Sequence, residues 1–206
     1  MLIQQHRYLP FCFCGCGFTM EDMSSLQGYF LIATPSMDDP NFRQTVMLMI
    51  QHDSDGALAL VLNRPSNLSV QQAWEQVGSS PCACEGQLGI GGPCQGPIMA
   101  LHNRKDVGEK QVLPGVFLSV EEENVTWLMR RGADYLKCYI GYAGWAPGQL
   151  EEEIAAGSWK SIPAKTELVF TSQIEDLWRQ VTQTADRNIE YPNLLPHMIP
   201  HDPSMN

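Results

Sequence analysis

The residue types best able to do chemistry stand at three backbone reversals. The first lies in Gly141–Glu153, GYAGWAPGQLEEE, which supplies Gly144, Trp145, Gln149 and Glu151. An indole in a polar, glycine-rich turn walls a pocket or anchors a partner, and equally it covers a core edge. The second reversal is Asn63-Arg64-Pro65. The Arg64 guanidinium fork suits a carboxylate or phosphate, or else an internal acid such as Asp38, Asp39 or Glu151. The third is Gly91-Gly92-Pro93, where backbone N–H groups meet an oxyanion or simply make a tight turn. A pocket between the three would use Asn63, Arg64, Gly91, Gly92, Gly144, Trp145, Gln149 and Glu151 to bind a small ligand or a partner.

Catalytic groups are harder to assemble. Cys94 follows the Gly-Gly-Pro turn, and beside His52 or His102 it would be an activated thiolate. Each histidine ends an apolar run, where a structural role is the ordinary one. Asp38-Asp39, Asp53 and Glu151 offer carboxylates, but acids at turns and helix starts have capping roles. The phosphate-binding, nucleophile-elbow and zinc-helix motifs are absent. Cys12, Cys14 and Cys16 alternate in FCFCGCGF without the spacing of a zinc knuckle or an accompanying histidine. No catalytic residue, metal or cofactor is therefore assigned.

These reversals need elements to hold them. Gly28–Thr34 reads as a strand. Thr45–His52 and Ala57–Asn63 form a hairpin across Asp53-Ser54-Asp55-Gly56, apolar at nearly every position and so buried on both faces. Ser69 and Gln72 make a capping box for a helix with the stripe Val70, Ala73, Trp74, Val77 and a stop at Gly78. Ser79–Gln87 reads as a loop, Leu88–Ile90 and Pro97–His102 as strands, Asn103–Lys110 as a loop and Val116–Val120 as a strand. A second capping box, Ser119 with Glu122, opens a helix striped by Val125, Leu128 and Met129 and ended by Gly132. Tyr135–Tyr142 is a strand. Pro147–Ala156 is a helix with Pro147 in its first turn, Glu151–Glu153 near its positive end and Gly157 closing it. Glu167–Phe170 is a last strand. Ser172 with Glu175 opens a helix striped by Ile174, Leu177, Trp178 and Val181. The hairpin requires antiparallel pairing, so the sheet is mixed or antiparallel rather than doubly wound.

The totals set bounds. The chain has 206 residues, 44% hydrophobic and 17% charged, which suits one domain with a real core. Residues 1–22 read as a leader outside the fold, with Met20 and Met23 as alternative starts. Residues 23–187 form the domain, and the Pro-rich stretch 188–206 reads as a mobile tail. Net charge is −10, so direct nucleic-acid binding is not expected; Arg104-Lys105 and Arg130-Arg131 are only short basic pairs. The seven scattered cysteines fit reduced cytoplasmic thiols, with Cys138 a small buried hydrophobe. No stretch reaches the ~18 apolar residues of a membrane helix.

Several ordered blocks resemble the AlgH/YqgE family of bacterial proteins, over about residues 27–180. They are Gly28–Pro40, Phe42-Arg43, His52-Asp53 with Gly56, Asn63-Arg64-Pro65, Gly91-Gly92-Pro93, Leu101-His102, Gly141–Glu151 and Trp159. Ala146 replaces a glycine usual in the family, and the cysteine-bearing Gly78–Gly86 loop and both termini have no counterpart. The resemblance implies an α+β single domain: a mixed, mostly antiparallel bent sheet forming an open pseudo-barrel flanked by helices. It also carries a label of transcriptional regulation, through control of alginate synthesis. On an acidic chain without a helix-turn-helix, that label points to an indirect regulator that binds a protein or small molecule rather than reading DNA. The alternative is a small-molecule enzyme, such as a hydrolase, using a cleft between the three turns.

Overall fold

The computed structural model describes residues 25–77 and 82–190; the leader 1–22 and its CxCxC, Gly78 and residues 191–206 lie outside the described residues. Among the described residues, ten strands and five α-helices form one unit: β1 Tyr29–Ala33, β2 Val46–Asp53, β3 Gly56–Val61, β4 Pro65–Ser69, α1 Val70–Val77, β5 Gln87–Ile90, β6 Cys94–His102, β7 Lys110–Leu113, β8 Val116–Ser119, α2 Glu122–Arg131, β9 Leu136–Trp145, α3 Gln149–Ala155, β10 Trp159–Pro163, α4 Thr166–Val169 and α5 Ile174–Glu190.

The main sheet runs β10-β1-β2-β3-β9-β6-β8-β7. Its neighbours are antiparallel, while β5 lies parallel to β9 and antiparallel to β4. The sheet curls until its ends approach: Gln27 Nε2 donates to the Gln111 carbonyl at 3.1 Å, and a Cβ on Gly28 would lie 2.9 Å from the Val112 oxygen. The result is an open, mostly antiparallel half-barrel with flanking helices.

Alternation along β1 and β2 explains its two cores. Phe30, Ile32, Val46, Leu48 and Ile50 point to a concave cluster with Leu60, Tyr139 and Leu118, into which α5 inserts Leu177, Val181 and Ala185. Leu31, Ala33, Met47 and Met49 point to the opposite face, under Leu150 of α3. The hairpin is buried on both faces, as its unbroken apolar runs require. A third cluster sits beneath α1 and α2, with Trp74, Leu88, Leu128, Met129 and Cys138.

The Ser69 capping box forms in both directions, Gln72 N–H to Ser69 Oγ at 3.1 Å and Ser69 N–H to Gln72 Oε1 at 2.9 Å. Val77, placed in the buried stripe of that helix, is instead 71% exposed, because α1 ends there and its last turn has passed the core. The second capping box does not form. Ser119 is a buried strand residue, and Glu121 takes the N-cap position. The Glu109 carboxylate, reaching across from another segment, accepts the Val120 and Glu121 N–H groups and the Asn124 amide. Tertiary placement of an acid displaces the local cap.

Three further expectations give way. Gly141–Trp145 is not a turn: β9 runs through it, pairing with β3 as Ala57↔Trp145 and Ala59↔Ala143. The reversal is only Ala146-Pro147-Gly148. Gly148 holds the N-cap with φ +78°, so Pro147 precedes the helix. The expected strand Glu167–Phe170 is the short helix α4; four apolar-rich residues do not distinguish the two periods. Three strands carry too little apolar run to read from sequence. The first is β4, PSNLS, which pairs with β5. The second is β7, which includes Lys110 from the expected loop, and the third is β10, which pairs with β1 as Tyr29↔Pro163 through Ala33↔Trp159. The last helix passes the boundary expected at Arg187 and reaches Glu190.

Candidate functional site

Trp145 is a core residue, 7% exposed. Its ring meets Trp159 edge-on at 6.2 Å, and Trp159 meets Phe42 at 5.6 Å. Both indole N–H groups donate to Glu153 Oε2, from Trp145 at 2.9 Å and from Trp159 at 2.7 Å. Gln149 donates to Glu153 Oε1 at 2.9 Å and accepts the Ala146 N–H at 3.1 Å. The carboxylate thus fastens α3 to β9 and β10. Glu151 accepts from His52 Nε2 at 2.7 Å, while His52 Nδ1 accepts the Leu26 N–H at 3.0 Å. Gly144 sits opposite Leu58 in the sheet, against the Tyr142 ring. These contacts give the residues structural roles.

Asn63 bridges the approach to β2: its Oδ1 accepts the Val46 N–H and its Nδ2 donates to the Gln44 carbonyl, each at 2.9 Å. Gln44 has φ +58°, a left-handed conformation unusual for a residue with a side chain, and Asn63 holds it there. Arg64 donates through Nη2 to the Arg43 carbonyl, not to the acids proposed from sequence. Gly91 donates to the Ile140 carbonyl and accepts from Val61, each at 2.8 Å. That N–H is committed to the sheet rather than offered to an oxyanion. A Cβ on Gly91 would meet the Gly141 oxygen at 2.2 Å, and one on Gly92 (φ +155°) would meet the Tyr142 backbone. The two glycines let the segment after β5 press against β9.

The second and third reversals meet, since Ile90 N–H donates to the Arg64 carbonyl at 2.7 Å. The first does not join them. Trp145 faces Ala57 at the start of β3, whereas Asn63 lies beyond its end, about 20 Å along the strand direction. The expected pocket between all three is therefore not formed.

A different cleft of about 290 Å³ opens beside Arg64. It is bounded by the β4–β5 pair, the N-terminal half of β9 and the start of α5, and Arg64, Gln87, Lys137, Tyr139, Thr171 and Ser172 line it. Lys137 Nζ donates to the Thr171 carbonyl at 2.6 Å, and burial pushes its ammonium down to about 8. It is still mainly charged at neutral pH. The Tyr139 hydroxyl is buried with no partner among the described residues, and burial holds the phenol protonated. The α5 N-terminus adds partial positive charge. Glu85 also lines the cleft, so two full cations face one acid.

Among the described residues, Cys94, His102 and Ser119 do not assemble a catalytic group. Cys94 and His102 open and close the same strand, β6, which keeps them about 25 Å apart. His102 Nε2 lies 2.8 Å from Ser119 Oγ, which superficially pairs a nucleophile with a base. The donors run the wrong way. His102 Nδ1 accepts the Arg104 N–H, so Nε2 carries the proton and donates to Ser119, whose hydroxyl donates onward to the Val107 carbonyl. Both side chains are fully buried. Cys138 is the small buried hydrophobe expected, its thiol pushed up by burial.

Sequence reasoning thus reaches Arg64 but misses Lys137, Tyr139, Gln87 and Thr171–Ser172. One signal was available: Lys137 is the lone charge inside the apolar run Tyr135–Tyr142, and a lysine placed in a buried strand needs a reason.

Comparison with known proteins places this geometry among relatives. The AlgH-like family model matches residues 30–190. The chain is 36% identical to a UPF0301 protein of Chlorobaculum tepidum over 157 residues, 73% of this chain and 82% of that one. It is 36% identical to a UPF0301 protein of Shewanella oneidensis, over 79% of this chain and 92% of that one. The solution structure of the AlgH protein from Pseudomonas aeruginosa superimposes with a TM-score of 0.67 at 30% identity, covering 82% of this chain and 92% of that one. A Corynebacterium diphtheriae protein shares the fold, with a TM-score of 0.63 at 23% identity over 76% of this chain and 85% of that one. With the curled sheet, the Asn63–Pro65 and Gly91–Pro93 junction and the Trp145–Glu153 clasp in place, the chain belongs to the AlgH-like family.

Proposed function

We propose that the protein is a binding module that takes a small anionic ligand in the cleft between Arg64 and Lys137. Any regulatory effect is then indirect, through that ligand or a protein partner, and not through DNA. The observation that carries this reading is the pairing of two cations in one concavity of a chain whose net charge is −10. Arg64 spends one guanidinium nitrogen on the Arg43 carbonyl and keeps other donors for a carboxylate or phosphate. The volume lies at the small end of ligand pockets, so the ligand is small. Both flanks are rigid: one is the sheet, and the other is α5, tied to β1 by the Trp178 indole at 2.9 Å from the Ala33 carbonyl.

The test is a thermal-shift and calorimetric survey of small carboxylates and phosphates, repeated on Arg64→Gln and Lys137→Met. At least one anion is expected to raise Tm and to bind more weakly, by about tenfold or more, to each variant. Affinity is expected to fall as pH rises through about 8, where Lys137 loses its charge. Absence of any shift across the survey overturns the reading. The hydrolase alternative, which needs a cleft between the three turns, has no supporting observation, since Trp145 pairs with the start of β3 and Asn63 lies beyond its end.

A further inference from the structure

Lys137 and Tyr139 are two residues apart on β9, so their side chains leave the same face of the strand, and both line the cleft that Arg64 enters. The three groups differ in chemistry and are complementary. Arg64 suits a carboxylate. Lys137 carries an amine at the end of a mostly buried stem. Tyr139 brings a hydroxyl that is buried without a partner among the described residues, and such a group is costly unless something accepts from it or donates to it. A simple inorganic anion would use only the charges. A molecule with a carboxylate next to a carbonyl would use all three.

We propose that the cleft takes a small 2-oxo acid and that Lys137 Nζ joins its carbonyl carbon as a reversible imine. The proposal rests on the anion-binding reading and names the ligand class for the same site. The neutral amine gives its lone pair to the carbonyl carbon, forming the C–N bond as the C=O π pair moves to oxygen. The Tyr139 hydroxyl donates to that oxygen, and the phenol recovers a proton from the nitrogen. The resulting carbinolamine loses its hydroxyl with one further proton as water, leaving a protonated imine. Overall, ammonium and ketone become iminium and water, with no oxidant or reductant. Arg64 holds the carboxylate and fixes which face of the carbonyl meets the amine.

Desolvation supports the chemistry. A lysine brought down to about 8 holds a few hundred-fold more neutral amine at pH 7 than an unperturbed one. Lys110 on β7 is also lowered by burial but lies outside the cleft lining, which makes it an internal control for burial without the other two groups.

The experiment treats the full-length protein with pyruvate and sodium cyanoborohydride at pH 7, then maps modified lysines by peptide mass spectrometry. The expected result is one reduced adduct on Lys137, formed at least about tenfold faster than on Lys110 or any other lysine. It should be absent from Lys137→Arg. Inorganic phosphate should slow it by competing for Arg64. Arg64→Gln should slow labelling by pyruvate several-fold more than labelling by propanal, which has no carboxylate; equal slowing of both overturns the role of Arg64. Label spread evenly over the lysines, or total label unchanged in Lys137→Arg, overturns the proposal. If Lys137→Arg fails to fold by circular dichroism, the distribution in the unmodified sequence decides alone. Should pyruvate raise Tm without marking Lys137, the imine is wrong and anion binding stands. If no anion raises Tm and no adduct forms, both readings fail.

Discussion

His102, Ser119 and the Val107 carbonyl form a chain of hydrogen bonds inside the sheet, fed by the Arg104 N–H. Its first acceptor, His102 Nδ1, can take the Arg104 N–H only while the imidazole is neutral. Burial pushes His102 down to about 4 from its ordinary 6.5. Above pH 6.5 the folded and unfolded states are both neutral there, and His102 gives no pH dependence. Between 6.5 and 4 the unfolded chain takes up a proton that the folded one refuses, so stability falls with falling pH, by up to about 1.4 kcal/mol per pH unit. Urea unfolding from pH 7 to 4 should show this slope, and His102→Asn should flatten it by close to one proton's worth; equal slopes would remove His102 as the cause. Residue identity made the structural role of this histidine legible, since it ends an apolar run. What sequence could not supply was direction: which nitrogen donates, and to what. Arg64 was legible for its fork, yet its companion Lys137 was hidden by the apolar run that contains it. Tyr139 was hidden too, because in sequence an aromatic in a strand says only that it is buried.

Helix α3 is held less by propensity than by one of its acids. Its seven residues are too few to be stable alone. Glu153 anchors it by accepting from the indoles of β9 and β10 and from Gln149 within its own helix. Replacing Glu153 by Leu leaves two buried indole N–H groups without acceptors, at a cost of about 2–4 kcal/mol. Glu153→Gln keeps a neutral acceptor oxygen and should lose about half of that. Denaturant midpoints would check the order, and near-UV circular dichroism would report the loosened Trp145–Trp159 pair. A leucine variant as stable as the parent would show that the clasp contributes nothing. The Gly-Tyr-Ala-Gly-Trp segment looked like a turn because three of its residues are small or aromatic and two are glycine. In the sheet the same features have another cause: β9 is shared, pairing with β5 and β6 along its first half and with β3 along its second. Close backbone packing, as where Gly91 faces the Gly141 carbonyl, is invisible without the partner strand.

Across the whole molecule, the hairpin, the antiparallel character and the helices α1, α2 and α5 could be read from periodicity, with a true capping box only at α1, and the barrel-like bend came through family resemblance. The closure of the sheet could not be read. Strand β10, WKSIP, has only two buried residues, Trp159 and Ile162, one in each core, and its place beside β1 is fixed by pairing over more than a hundred positions. Cutting the chain after Gly157 removes β10, α4 and α5, and with them Leu177, Val181 and Ala185 from the concave core. Such a chain should lose its cooperative unfolding transition and become protease-sensitive; a sharp transition in urea would mean that the sheet closes without its last strand.

The pairing of Tyr29 with Pro163 has a further consequence during synthesis. The first strand leaves the ribosome on the order of ten seconds before its outer neighbour exists. In that interval TVMLMIQH and ALALVLN are already outside, sticky on both sides and still lacking β9. Apolar surface exposed in this way is prone to aggregate, and a chaperone at the exit tunnel would shield it. Cells short of that protection should accumulate the protein in inclusion bodies rather than in soluble form.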